Sequence, residues 1–222
     1  GNTDCYQPLD RKYELTRQLL LTLNEFKNPV GIITKNSLIE RDIDILAEMA
    51  QDNLVRVLLS ITTLDEKLRS KMEPRTSSAR NRLKTIERLS QAGIPTQVII
   101  GPIIPGLTSH EIPEIIKSSS EAGAVWANYT MIRLNGAIAD IFEEWISQLY
   151  PNRASKVLNQ IKEVNGGLLS NTISGRRMSG KGNMAKIIRD VFNLNRARYM
   201  TKPNDEFNTS LFTRPGRQLD LF

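Results

Sequence analysis

Leu54-Val55-Arg56-Val57-Leu58-Leu59-Ser60-Ile61 is a short apolar run that opens into the hydroxyl pair Thr62-Thr63. Runs of this kind, bounded by turn residues, suit strands buried on both faces. Three more share its character: Val30-Gly31-Ile32-Ile33-Thr34, the run Thr96-Gln97-Val98-Ile99-Ile100 entered through Pro95, and the less regular Val125 to Leu134. Helical patterns precede and separate them. Asp10 is placed to cap one with a stripe of Leu15, Leu19, Leu23 and Phe26. Asn36 is placed to cap another through Ile39, Ile43 and Leu46. Ser77 or Ser78 opens a third through Leu83, Ile86 and Leu89, which stops at Gly93. Thr108 and Glu111 have capping-box spacing at the head of a fourth. This alternation predicts βα units, a parallel sheet and an α/β fold, either doubly wound or a barrel. In both architectures the C-terminal strand ends carry the site.

The pattern changes after Leu134. Helices are expected over Ala137 to Tyr150 and Pro151 to Val164, then a loop rich in Gly and Ser, then a basic helix to Met200. The last twenty residues lack periodicity and read as a mobile tail. The expected division is therefore 1–135, 136–202 as a helical basic extension, and 203–222 as a flexible tail. The chain opens without a methionine or a lead-in element, as an excised piece of something longer would.

The net charge of +6 is uneven: between Pro151 and Lys202 eleven Lys or Arg face only Glu163 and Asp190. Such a segment suits a polyanionic partner, and the competing role is a solvated helical face. No apolar run approaches the roughly 20 residues that span a bilayer, so no membrane partner is expected. The single cysteine, Cys5, excludes an internal disulfide framework and an all-cysteine metal site, and a cytoplasmic setting is expected. His110, the only histidine, lacks companions for metal ligation and suits a surface or capping role. Gly175 to Gly182 imitates a phosphate-binding loop, but Gly182 stands where a Ser or Thr would hold magnesium and no buried strand precedes it. Arg176, Arg177 and Lys181 read instead as phosphate contacts to nucleic acid, DNA included. Gln218-Leu219-Asp220-Leu221-Phe222 resembles the short peptide by which bacterial polymerases and repair proteins dock on the DNA sliding clamp. The competing role is a terminus folded back over apolar surface.

Five ordered motifs carry a further resemblance. Gly1-Asn2-Thr3-Asp4-Cys5-Tyr6-Gln7-Pro8 resembles the segment after the second barrel strand in radical S-adenosylmethionine (SAM) proteins related to spore photoproduct lyase and DNA-repair photolyase-like proteins. Those relatives usually have Pro where this chain has Cys5. Ile32 to Asn36 is similar to their third strand, Leu59 to Asp65 to their fourth, Gly93-Ile94-Pro95 with Pro102 to Leu107 to their fifth strand and its loop, and Arg176 to Gly182 to a late Gly- and Arg-containing loop. The resemblance implies a partial parallel (β/α)6 barrel, TIM-like, with its N-terminal strand or strands missing here. It implies a 4Fe-4S cluster on three cysteines with SAM as the remaining ligand, and a 5′-deoxyadenosyl radical that abstracts hydrogen from substrate. The CxxxCxxC triplet is absent from this chain, so the chain alone is expected to be inactive.

The resemblance also implies residue roles. Asn2, Thr3 and Asp4 would receive the SAM ammonium, against a competing role as a turn cap. Lys35 would meet the carboxylate and Ser60 the ribose or carboxylate, against a surface lysine and a hydroxyl bonded to its own backbone. Gly101, Pro102 and Ile103 would lie along the adenine, against a plain strand-to-loop bend. Cys5 is a candidate hydrogen donor to a product radical, against an incidental small residue. The implied function is a radical SAM enzyme, lyase- or transferase-type, acting on nucleic acid. The alternatives are one modifying a protein or small molecule, or a non-catalytic clamp-docking module. An exposed sheet edge would favour self-association.

Overall fold

A computed structural model describes residues 3–169 and 180–214. In chain order it contains α1 (Asp10–Tyr13), α2 (Leu15–Glu25), β1 (Val30–Thr34), α3 (Ile43–Gln51), β2 (Val55–Ser60), α4 (Glu66–Met72), α5 (Ala79–Gln91), β3 (Thr96–Ile103), α6 (Ile112–Glu121), β4 (Trp126–Met131), α7 (Ile138–Leu149), α8 (Pro151–Val164) and α9 (Gly182–Tyr199). The strands form one parallel sheet in the order β1-β2-β3-β4. Ile32 pairs with Val57, Leu59 with Val98, and Val98 with Ala127. These side chains share the face that packs on Leu46, Ile86, Leu89, Ile115 and Ile116 of the helices. A strand order that never reverses, with the connecting helices on one face, is the arc of a partial barrel rather than a doubly wound sheet.

The other face departs from the expectation of strands buried on both sides. Ile33 is 55% exposed and Arg56, Leu58 and Ile99 are only partly covered. The inner face of an arc has no helix layer to cover it.

Local chemistry explains most boundaries. Ser78 Oγ accepts the Asn81 amide at 3.2 Å and caps α5, which ends before Gly93 at φ +77°. Asn36 Oδ1 accepts the Leu38 amide at 3.0 Å, but the turn it opens is a 3-10 turn, Ser37–Asp42, ahead of α3. Two expectations are corrected. Glu14, at φ 51°, breaks the first helix, so α2 buries Thr16 and Leu20 while Leu15 and Leu19 stay exposed. Asp10 serves α2 instead, its Oδ1 accepting the Thr16 amide at 3.0 Å. The capping box does not form either. Thr108 Oγ1 accepts the Ile104 amide at 2.9 Å, and Glu111 reaches the Thr63 hydroxyl and the Leu64 amide, both at 2.6 Å. Two donors at the end of β2 outcompete the helix's own first turn.

Beyond β4, Ile146, Val157 and Ile161 of α7 and α8 close a second core with Ile104, Leu107 and Ile132. Phe192 of α9 reaches the main core, its ring centroid 4.6 Å from that of Tyr129. The segment read as a mobile tail is fastened over residues 204–213. Gln97 Nε2 donates to Asn204 Oδ1 at 2.7 Å, and the Arg56 guanidinium donates to the Asp205 carbonyl and lies 4.7 Å over the Phe207 ring. The Asn208 amide donates to Asn53 O at 3.1 Å and the Thr213 amide to Phe26 O at 3.0 Å. Two strand side chains, Gln97 and Arg56, and the carbonyls of Phe26 and Asn53 thus give an aperiodic strap specific partners. Among the described residues no helix is long and apolar enough to cross a membrane.

Candidate functional site

The loop before α1 is locked to the sheet before it can present anything. Tyr6 is fully buried and its hydroxyl donates to Asp42 Oδ2 at 3.0 Å. Burial first, and then the Asp42 carboxylate, drive the phenol's pKa upward, so it remains a donor. Asp42 also accepts from Arg17 at 3.1 Å and Arg41 at 3.0 Å, and Arg41 grips Asp10 at 2.8 Å. On this base the Asp4 carboxylate accepts the Tyr6 amide (2.9 Å), the Thr34 hydroxyl (2.8 Å) and the Lys35 amide (2.8 Å). The loop is thereby stapled to the C-terminal end of β1. An ionised carboxylate has about four acceptor sites, so three donors leave room for one more.

Thr3, Asp4, Thr34, Lys35, Ser60, Gly101 and Thr130 line a cavity of about 620 Å³ at the C-terminal strand ends, floored by Gly31, Ile33 and Ile99. The Ser60 hydroxyl donates to Gly101 O at 3.2 Å, and Thr62 Oγ1 lies 2.8 Å from the same carbonyl. A Cβ added to Gly101 would collide with the Thr130 hydroxyl, so this wall requires glycine. Lys35 Nζ is paired with Glu73, whose Oε1 also accepts from Thr62 at 2.8 Å and whose Oε2 accepts from Arg82 at 2.8 Å. Burial alone would raise the Glu73 carboxyl, but Lys35 and Arg82 together hold it below its ordinary value.

Of the residues expected at a cofactor site, the fold brings Thr3, Asp4, Lys35, Ser60 and Gly101 together. Asn2 lies outside the described residues. Pro102 and Ile103 do not line the cavity, and the β3–β4 register shifts between Ile100 and Ile103. Pro102 lines a separate apolar cavity of about 330 Å³ with Ile104, Ile132, Phe142 and Trp145, and Ile103 is buried in the core. Cys5 is exposed and is not part of the cavity wall. Partial burial of its sulfur, and then the Asp4 carboxylate, nonetheless push the thiol up to about 11, so it stays protonated. His110 borders a small cleft with Asp65, Glu111 and Arg153. Lys181 is exposed just before α9, whereas Arg176, Arg177 and Gln218, Leu219, Asp220, Leu221 and Phe222 lie outside the described residues.

Sequence reasoning missed Glu73, Arg82 and Thr130. A signal for Arg82 exists: with Ala79, Ile86 and Leu89 it falls on the buried stripe of α5, where a cation needs a partner.

The donor set fits SAM, which offers an ammonium, a carboxylate, hydroxyls and a flat ring. It does not fit the cluster. That group takes three thiolates, the chain has one cysteine, and among the described residues no group of three or more His, Cys, Asp or Glu is placed to hold a metal.

An uncharacterized protein of Mycobacterium tuberculosis is 29% identical over 157 residues, 70% of this chain and 46% of its own length. One of Methanocaldococcus jannaschii is 27% identical over 158 residues, 71% of this chain and 58% of its own. The chain thus spans about half the length of the curated relatives it matches. Among solved structures, a spore photoproduct lyase mutant with bound AdoMet and dinucleoside spore photoproduct superposes with a TM-score of 0.58 at 16% identity, covering 87% of this chain and 56% of that one, a likeness of fold. The Radical SAM superfamily model matches residues 1–118, more than half of the chain, and the chain belongs to that superfamily.

Proposed function

We propose that this chain is the SAM-binding portion of a radical SAM enzyme acting on nucleic acid, with the cluster ligands supplied by a longer protein. The observation that carries the reading is the convergence of Thr3, Asp4, Lys35, Ser60 and Gly101 on one cavity at the C-terminal strand ends. Asp4, with Thr3, takes the cofactor ammonium; Lys35 takes the carboxylate; Ser60 takes a ribose hydroxyl; and Gly101 lets the backbone approach the adenine. With a cluster held by the longer protein, SAM bound by these residues would supply the organic radical that removes hydrogen from a substrate. The protein's part is to orient the cofactor and, through Tyr6 and Asp42, to keep the Asp4 loop fixed.

Nucleic acid as substrate is supported by the exposed cations of α8 and α9, among them Arg153, Lys156, Lys186, Arg189 and Arg198. Titrating the chain with SAM by calorimetry should give binding that Lys35→Met weakens about tenfold or more, the worth of one charge-assisted hydrogen bond. Anisotropy with labelled single- and double-stranded DNA should give affinity that falls with salt, and Lys186→Ala with Arg189→Ala should reduce the logarithmic slope by about 0.7–0.9 each. Absence of SAM binding would sink the cofactor reading. Salt-insensitive or absent DNA binding would turn the substrate toward a protein or small molecule.

A further inference from the structure

Lys35 does not stand alone in the cavity wall. Its ammonium is paired with Glu73 on the connection between α4 and α5, and Glu73 is itself held by Thr62 and Arg82. Arg82 is 1% exposed and its hydrogen bonds point inward: to Ser77 O at 2.9 Å, Ser60 O at 2.6 Å, Thr76 Oγ1 at 2.5 Å and Glu73. It cannot touch a ligand. It fixes two residues that do line the cavity, Ser60 through its carbonyl and Lys35 through Glu73.

We propose that Glu73 and Arg82 are positioning residues that set the site's preference for a ligand carrying a carboxylate. The proposal rests on the reading of Lys35 as the group that receives the SAM carboxylate. A free lysine head sweeps many rotamers on its four-carbon stem and must be ordered when a ligand binds. Glu73 orders it beforehand while using one of its three N–H groups, leaving two for the ligand. A Lys–Glu pair by itself is neutral and would not attract an anion. Arg82 supplies a second positive charge from a position no ligand reaches, so the three groups sum to +1 with Lys35 the member that faces the cavity. Glu73 remains ionised in this company, as its lowered pKa agrees.

The test compares SAM with decarboxylated SAM, the same sulfonium lacking only the carboxylate, by calorimetric titration of the 222-residue chain. The wild-type chain should prefer SAM by about tenfold or more, and Lys35→Met should erase the preference. Glu73→Asp keeps the charge that Arg82 needs but withdraws it by one methylene. Arg82→Met removes the second positive charge and leaves Lys35 and Glu73 to sum to zero. Both should lower the preference about fivefold while affinity for decarboxylated SAM holds steady, which a general loosening of the fold would not produce. Thermal melts followed by circular dichroism show which variants fold, and either one suffices. A preference unchanged or raised in the folded Glu73→Asp or Arg82→Met variant overturns the proposal, since the two groups would then be bystanders to Lys35. A preference that survives Lys35→Met overturns the underlying reading of Lys35 itself, and the two failures are told apart by which variant is silent.

Discussion

Arg82→Met is the substitution whose cost follows most directly from the structure. Methionine preserves much of the buried volume and removes the guanidinium. Glu73 then keeps only Lys35 as a charged partner, and Lys35 is partly open to solvent. The carbonyls of Ser60 and Ser77 lose their donor, and Ser60 is buried. Removing one member of a buried ion pair costs about 3–5 kcal/mol, and the stranded carbonyls place the expected loss at the upper part of that range. For an unfolding slope of about 2–3 kcal/mol per molar urea, the midpoint falls by about 1.5 M. Urea unfolding followed by far-UV circular dichroism measures it. The double variant Arg82→Met with Glu73→Gln should recover about 2 kcal/mol relative to the sum of the singles, because the second change removes the charge the first one stranded. A loss below about 1 kcal/mol for Arg82→Met, or strict additivity in the cycle, would show that the cluster is not a cooperative unit.

Acid should act through the same group. Glu73 lies below its ordinary value of 4.5, so its contribution is fully present above that value and is lost as pH falls through the lower folded-state value. Over that interval the urea midpoint should fall more steeply in the wild-type chain than in Glu73→Gln, and equal slopes would refute the assignment. Gly101→Ala forces a methyl onto the Thr130 hydroxyl and should cost about 1–3 kcal/mol in thermal unfolding, largely restored by adding Thr130→Ala. Phe207→Ala removes the ring beneath Arg56 and should cost about 1–2 kcal/mol for a half-buried aromatic, with faster amide exchange confined to residues 204–213; uniform exchange across the sheet would argue against a discrete strap.

The alternation of strands and helices was legible because each strand has its own apolar run and each crossover its own stop signal, such as Ser78 before α5 and Gly93 after it. The barrel arc was not legible from those runs. It appears in the non-reversing strand order and in the uncovered face at Gly31 and Ile33, which a continuous apolar run conceals. Lys35, Ser60 and Gly101 share one cavity because they stand at strand ends, where topology forces convergence. Pro102 and Ile103 do not line that cavity, and the register shift between Ile100 and Ile103 is encoded by no local pattern. Glu73 was illegible for a different reason. It lies on a connecting segment with no periodicity, and its importance comes from Lys35 and Arg82, thirty-eight residues before it and nine after it.

The unbroken β1-β2-β3-β4 order also has a consequence for the way the chain is made. A polypeptide leaves the ribosome N-terminus first, and here each new strand emerges to find the strand it pairs with already in place. The sheet can accrete one βα unit at a time, with no strand waiting for a distant partner. The strap is the exception. Its bonds join residues 149 and 187 positions apart, so they cannot form until residues 205–213 have been synthesised. The Arg56 guanidinium and the Phe26 carbonyl therefore stay without their strap partners throughout most of translation and gain them last.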